Sequence, residues 1–163
     1  MKTKNLILVA FFAIALTPCL TQAQSYSNAV GLRLGYPLSA TYKHFLNEES
    51  AVEVFAGVRS WAGYSWVNVG GLYEFHKPIN GVENLNWYFG GGASVYFWNY
   101  KYDYLEDNSS LSVGVMGTLG LDYKFEELPI NVSADWVPVF FVNGYNNGFA
   151  GGYGAVSVRY VLN

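Results

Sequence analysis

The clearest pattern of apolar and polar positions runs from Leu111 to Phe140. On its first arm Val113, Val115, Gly117, Leu119, Leu121, Tyr123 and Phe125 alternate with Gly114, Met116, Thr118, Gly120, Asp122 and Lys124. On its second arm Ile130, Val132, Ala134 and Trp136 alternate with Asn131, Ser133 and Asp135. A period of two marks a strand, because successive side chains point to opposite faces. The link from Glu126 to Pro129 is short and holds a proline, so the arms read as a hairpin. Each arm has an apolar face and a face that is polar, glycine-rich or charged. A membrane-spanning barrel needs this contrast over about ten residues. A half-buried soluble sheet shows it too.

The same alternation returns along the chain. Strands are expected over Ala29 to Tyr36, Leu38 to Phe45, Ala51 to Trp61, Trp66 to Phe75, Leu85 to Trp98 and Gly152 to Leu162, around the hairpin. Pro138 cannot donate to a ladder, so the spanning part of the second arm is expected to end near Val137. Asn143 to Gly151 and Asn99 to Ser110 read as loops, the latter with Asp103, Glu106, Asp107 and three tyrosines. The total is eight strands and no convincing helix. That predicts an all-β chain, an eight-stranded antiparallel up-and-down transmembrane β-barrel, with the even count of bacterial barrels.

Charge placement separates the two readings. With each strand's phase set by its apolar residues, Arg33, Lys43, Arg59, Lys124 and Arg159 fall on the polar face, as do Glu53, Glu74, Asp122 and Asp135. None falls on the apolar face within an expected strand. A basic residue facing lipid at mid-membrane costs about 2–4 kcal/mol, so lipid exposure selects this sorting. An eight-stranded barrel has an interior that side chains just fill. These nine residues are therefore expected to form a paired lumen charge network, with the leftover positive charge near a rim. A soluble barrel would put apolar residues inside and charges outside. Outward Tyr42, Tyr73, Phe75, Trp87, Tyr123, Phe125 and Tyr160 near one end, and Tyr36, Phe97 and Trp136 near the other, are expected to form belts at headgroup level.

Composition agrees. Charged residues make up 13% of the chain, against about a quarter in typical domains, and aromatics 18%. Met1 to Ala23 reads as a secretory signal peptide: Lys2 and Lys4, an apolar run from Leu6 to Leu16, then Thr21-Gln22-Ala23 as a cleavage site. The barrel domain is then 24–163, beginning at Gln24. Losing Lys2 and Lys4 leaves seven basic against twelve acidic residues, a formal charge of −5, which argues against nucleic-acid binding. Cys19, the single cysteine, lies inside the signal behind Pro18, a poor context for lipidation, so no thiol or disulfide chemistry is expected.

Three stretches carry a resemblance: Gly120 to Pro138 (GLDYKFEELPINVSADWVP), Trp87 to Ser94 (WYFGGGAS) and Tyr42 to Leu46 (YKHFL). They resemble small outer-membrane β-barrel proteins common in Bacteroidetes, and more broadly the OmpA/OmpX-type eight-stranded class. The resemblance covers nearly the whole mature chain. It implies an outer-membrane location and insertion by the barrel-assembly machinery, among outer-membrane lipid and lipopolysaccharide. It implies no defined activity. The chain departs from the pattern at its end, which reads Tyr160-Val161-Leu162-Asn163 where many such barrels finish on an aromatic.

Candidate chemistry is sparse. Lipid-modifying hydrolases or acyltransferases of this size need a histidine and a serine near the outer leaflet. His44 and His76 both fall at expected periplasmic ends and read as interfacial residues. A Glu74–His76 pair with a nearby serine is the residual hydrolase hypothesis. A narrow passive channel past Gly90, Gly92, Gly114 and Gly120 is the other alternative; those glycines more simply make room for Tyr88, Tyr96 and Met116. The acidic loop lacks the spacing of a calcium loop. No catalytic residue, metal site or cofactor is expected. The reading is a monomeric outer-membrane barrel, not an enzyme, with a structural or surface-interaction role.

Overall fold

The computed structural model describes residues 26–61, 64–100, 109–143 and 148–162; the expected leader, Cys19, the acidic stretch 101–108 and residues 144–147 lie outside them. The described chain is all β. Its segments are β1 (Asn28–Tyr36), β2 (Leu38–Phe45), β3 (Ser50–Trp61), β4 (Tyr64–Pro78), β5 (Leu85–Tyr100), β6 (Ser109–Lys124), β7 (Ile130–Trp136), β8 (Val139–Phe141), β9 (Gly148–Ala150) and β10 (Gly154–Leu162). Except for β7–β8 and β9–β10, chain neighbours pair antiparallel, and β1 pairs with β10 from Asn28↔Leu162 to Tyr36↔Gly154, which closes the sheet into a barrel.

The ten segments make eight staves. β7 and β8 form the seventh: β6 meets β7 at Leu119↔Trp136 and β8 at Met116↔Val139, without a register shift. The expected end of this arm near Val137 is therefore corrected. Pro138 interrupts the ladder but its carbonyl still accepts the Gly117 N–H at 3.0 Å, so the wall resumes at Val139. β9 and β10 form the eighth stave, and Gly148–Ala150, expected in a loop, is strand. Between Trp136↔Gly154 and Val139↔Ala150 two residues face three, which is a β-bulge.

The alternation sets the two faces as expected. Outward positions on every stave are apolar and exposed: Leu32 on β1, Val54 on β3, Val69 on β4, Phe89 on β5, Leu119 on β6, Val158 on β10. Turn-end aromatics stack side by side, with Phe75–Phe89 at 5.6 Å and Trp87–Phe89 at 5.4 Å between ring centroids. β4 runs further than expected and includes Lys77, an outward charge beside Trp87 at the turn end. Tyr36 departs from the expected outer belt. Its ring turns over the loop-end mouth, 5.8 Å from Trp66 and 5.2 Å from Tyr153.

The lumen is filled in layers. At the turn end Tyr26, Ala29, Phe45, Ala51 and Val161 form a small apolar floor. An ion layer lies above it. Towards the loop end Phe55, Trp66, Leu72, Tyr96, Trp98, Met116, Val137, Val139, Phe141 and Tyr153 pack as one cluster. The expected charge network is thus only part of the filling. Two inward glycines make this possible. A Cβ at Gly70 would lie 2.7 Å from the Phe55 ring, its register partner across the ladder, and one at Gly120 would lie 2.6 Å from the ring of Tyr88, its own partner.

Candidate functional site

The ion layer is the densest chemistry in the molecule, and every stave contributes to it. Inward phase on β1, β2 and β3 supplies Arg33, Lys43 with Thr41, and Glu53. The carboxylate of Glu53 is its centre. Oε1 accepts from Arg33 Nη1 at 2.8 Å, Arg159 Nη2 at 2.8 Å and Thr41 Oγ1 at 2.5 Å. Arg159, on β10, also donates through Nη1 to Ser133 Oγ at 2.7 Å and Asn131 Oδ1 at 3.2 Å on β7. Arg33 reaches across to Asp135 Oδ1 at 2.8 Å, and Tyr88 on β5 donates its hydroxyl to Asp135 Oδ2 at 2.8 Å.

Lys43 is the second centre. Its ammonium lies 2.8 Å from Glu74 Oε2, and 3.5 Å from both Glu53 Oε2 and Asp122 Oδ2. Asp122 Oδ1 accepts from Asn131 Nδ2 at 2.7 Å, which joins the two centres into one network. Tyr88 covers the lysine, with Nζ 4.5 Å from its ring centre. Side chains of Lys43, Glu53, Glu74, Asp122 and Arg159 are all at 0% exposure. Burying an ion costs several kcal/mol unless partners and hydrogen bonds replace its water, and here the partners come from opposite walls of the tube.

Of the nine residues expected in the network, seven meet. Arg59 and Lys124 do not. Arg59 stands at the loop-end mouth with its guanidinium 4.2 Å over the Tyr36 ring. Lys124 stands at the turn end, where its ammonium donates to the carbonyls of Phe125 and Leu128, the latter at 3.2 Å. Both have the inward phase, but they lie too near the ends of their strands to reach the middle.

His76 was expected at the interface and is instead inside. It is 1% exposed, bonded through Nε2 to Glu74 Oε2 at 2.9 Å and stacked on Tyr88 at 4.8 Å. The strand simply continues past Phe75, so parity carries the imidazole into the lumen. His44 does face outward, with Nδ1 2.8 Å from Asn28 Oδ1. Among the described residues no hydroxyl is hydrogen-bonded to His76, and the Phe45 ring, 4.9 Å away, shields it from the turn end. Nor, among the described residues, are three or more histidine or carboxylate side chains grouped to hold a metal ion.

Both ends of the ion layer are sealed. Between it and the aromatic layer lies a cavity of about 20 Å³, lined in part by Arg33, Ser39, Asn68 and Tyr96, room for about one water molecule. Sequence reasoning missed the aromatic layer. Its signal was present in Phe55, Leu72, Tyr96 and Met116, which all carry the polar-face phase. Compared with known protein families and with curated proteins, the chain matches none.

Proposed function

We propose that the protein is an integral outer-membrane β-barrel, exported by its N-terminal signal, with a structural or surface-interaction role and a lumen that is not an open pore. One observation carries this reading. A closed single-layer barrel with ions locked inside presents exposed apolar side chains around its whole circumference. In water such a surface far exceeds the patches a soluble monomer tolerates. In a bilayer it is the required lipid face, and strands such as the 15-residue β4 and 16-residue β5 and β6 exceed the roughly 9–11 residues that a tilted crossing needs. No described helix is long and apolar enough to cross a membrane, and a barrel crosses with strands instead. Lys77 is compatible with this placement, because it stands at the turn end beside Trp87, where a lysine reaches the headgroups.

The layered filling favours a closed barrel over a narrow channel. The burial of His76, hydrogen-bonded to Glu74 and covered by Phe45, weighs against lipid hydrolysis. The resemblance to Bacteroidetes barrels, insertion by the barrel-assembly machinery and contact with lipopolysaccharide belong to the same proposal. Heat-modifiability tests it: the folded protein in detergent is expected to run ahead of its boiled form on a gel and to float with lipid vesicles. A processed chain that stays monomeric in buffer without amphiphile would sink the reading.

A further inference from the structure

The charges of the ion layer do not balance. Arg59 and Lys124 stand at the two ends of the tube, so the layer keeps Arg33, Lys43 and Arg159 against Glu53, Glu74, Asp122 and Asp135. Three cations face four carboxylates, and the layer is sealed from water at both ends by the apolar floor and the aromatic cluster. An uncompensated charge in such surroundings is costly enough that a titratable group takes up a proton instead. Where carboxylates share a site, one of them stays protonated.

The oxygens show where that proton belongs. Among the described residues, every carboxylate oxygen of the layer but one has a donor or the Lys43 ammonium within 3.5 Å. Glu53 has its arginines and Thr41 on Oε1 and Lys43 at 3.5 Å from Oε2. Asp122 has Asn131 on Oδ1 and Lys43 at 3.5 Å from Oδ2. Asp135 has Arg33 on Oδ1 and Tyr88 on Oδ2. Glu74 Oε2 lies 2.8 Å from Lys43 Nζ and 2.9 Å from His76 Nε2. Glu74 Oε1 is buried with no hydrogen-bond partner. His76 does not supply the balancing charge. Its Nδ1 is buried without a partner beside the Phe45 and Tyr88 rings, so a second proton there would find no acceptor.

We propose that Glu74 is a proton-binding site, its carboxyl held as the neutral acid with the proton on Oε1, which leaves the sealed layer without net charge. Glu53, which shares Lys43 with Glu74, is within hydrogen-bonding reach to accept that proton. The other titratable groups nearby are the phenols of Tyr26 in the floor and Tyr88 over Lys43, which ionise only near pH 10 or above. Unfolding moves Glu74 into water, where it ionises. Unfolding therefore releases the proton, and rising pH favours the unfolded chain. The inference needs the closed tube and not the membrane.

The test compares the unsubstituted protein with its Glu74→Gln variant, both folded in a neutral detergent. The amide closely copies the neutral acid in shape and charge. At neutral pH in heavy water the unsubstituted protein is expected to show the infrared carbonyl stretch of a protonated carboxyl, and Glu74→Gln to lack it. Urea unfolding followed by tryptophan fluorescence is the second readout. One released proton raises the unfolding constant by up to about tenfold per pH unit. Between about pH 7 and pH 9 that constant is expected to rise about tenfold or more in the unsubstituted protein and less than about threefold in Glu74→Gln. A missing carboxyl band or a flat pH profile in the unsubstituted protein overturns the proposal. So does a band or a slope that persists in Glu74→Gln, which would put the proton elsewhere. A Glu74→Gln chain that fails to fold overturns it as well, because a site that holds the neutral acid accepts the amide.

Discussion

The two halves of the lumen hold the barrel together by different physics. The ion layer is directional. Glu53 alone connects β1, β2 and β10, and its neighbours bring in every other stave. The aromatic layer is cohesive but not directional. Trp66 touches Tyr36, Tyr96, Trp98 and Tyr153 at 5.3 to 6.3 Å, in tilted and edge-on contacts that tolerate adjustment. A change of charge in the first layer strands ions that have no water. A change of shape in the second leaves a gap that neighbours partly fill. The ion layer therefore fixes which strand stands where, and the aromatic layer supplies bulk.

The largest expected effect tests that contrast with two shape-sparing changes. Glu53→Gln keeps the volume but leaves Arg33 and Arg159 without their shared anion. It is expected to cost about 3–5 kcal/mol, the usual result of breaking a buried ionic network. Met116→Leu, a volume-conserving swap in the aromatic layer, is expected to cost under about 1.5 kcal/mol. Urea unfolding of the vesicle-inserted protein, followed by tryptophan fluorescence, measures both. Equal costs would show that the two layers are held in the same way.

Glycines sharpen the comparison next. Gly120 and Gly117 are neighbours on β6 with opposite phase. Alanine at Gly120 meets the Tyr88 ring and the Ala134 carbonyl at 2.6 and 2.7 Å, so overpacking is expected to cost about 1–3 kcal/mol. Alanine at Gly117 faces outward, 3.6 Å from the Pro138 ring, and is expected to change stability by no more than about 0.5 kcal/mol. The same unfolding measurement checks both. A costly Gly117→Ala would contradict the assignment of that face to lipid.

Much of this architecture was legible in the alternation, and the limits have physical causes. Parity assigns a side chain to a face, and Arg33, Lys43, Glu53, Glu74, Asp122, Asp135 and Arg159 share the inward one. Parity says nothing about height along the axis. Glu53 meets Arg159, 106 positions away, only because strand stagger brings them level, and stagger is a property of the closed sheet. For the same reason Arg59 and Lys124 could not be told from the seven that pair. The aromatic layer escaped notice because an inward phenylalanine has the same phase as an inward serine. Tyr36 failed at a strand end, where the chain turns and alternation lapses. Pro138 was read as a stop, because the missing donor is visible in the sequence while the carbonyl that keeps the stave in register is not.

The smallest expected effects lie at the rims, and they decide whether height matters as much as phase. Lys124 shares inward parity with Arg159, but its ammonium is at the turn-end surface with two carbonyls for partners. Lys124→Gln is expected to cost no more than about 1 kcal/mol, within the range of exposed charge contacts. Arg159→Gln should instead fall with Glu53→Gln, since it releases the same carboxylate. Salt separates the two positions independently. At 1 M the Debye length shrinks to about 3 Å, which screens exposed charges and leaves a sealed layer almost untouched. Raising salt should therefore erase the small Lys124→Gln effect and leave the Arg159→Gln loss nearly intact. If the Arg159→Gln loss also fades with salt, ions and water reach the middle of the tube, and the seals at Phe45 and Trp66 do not hold.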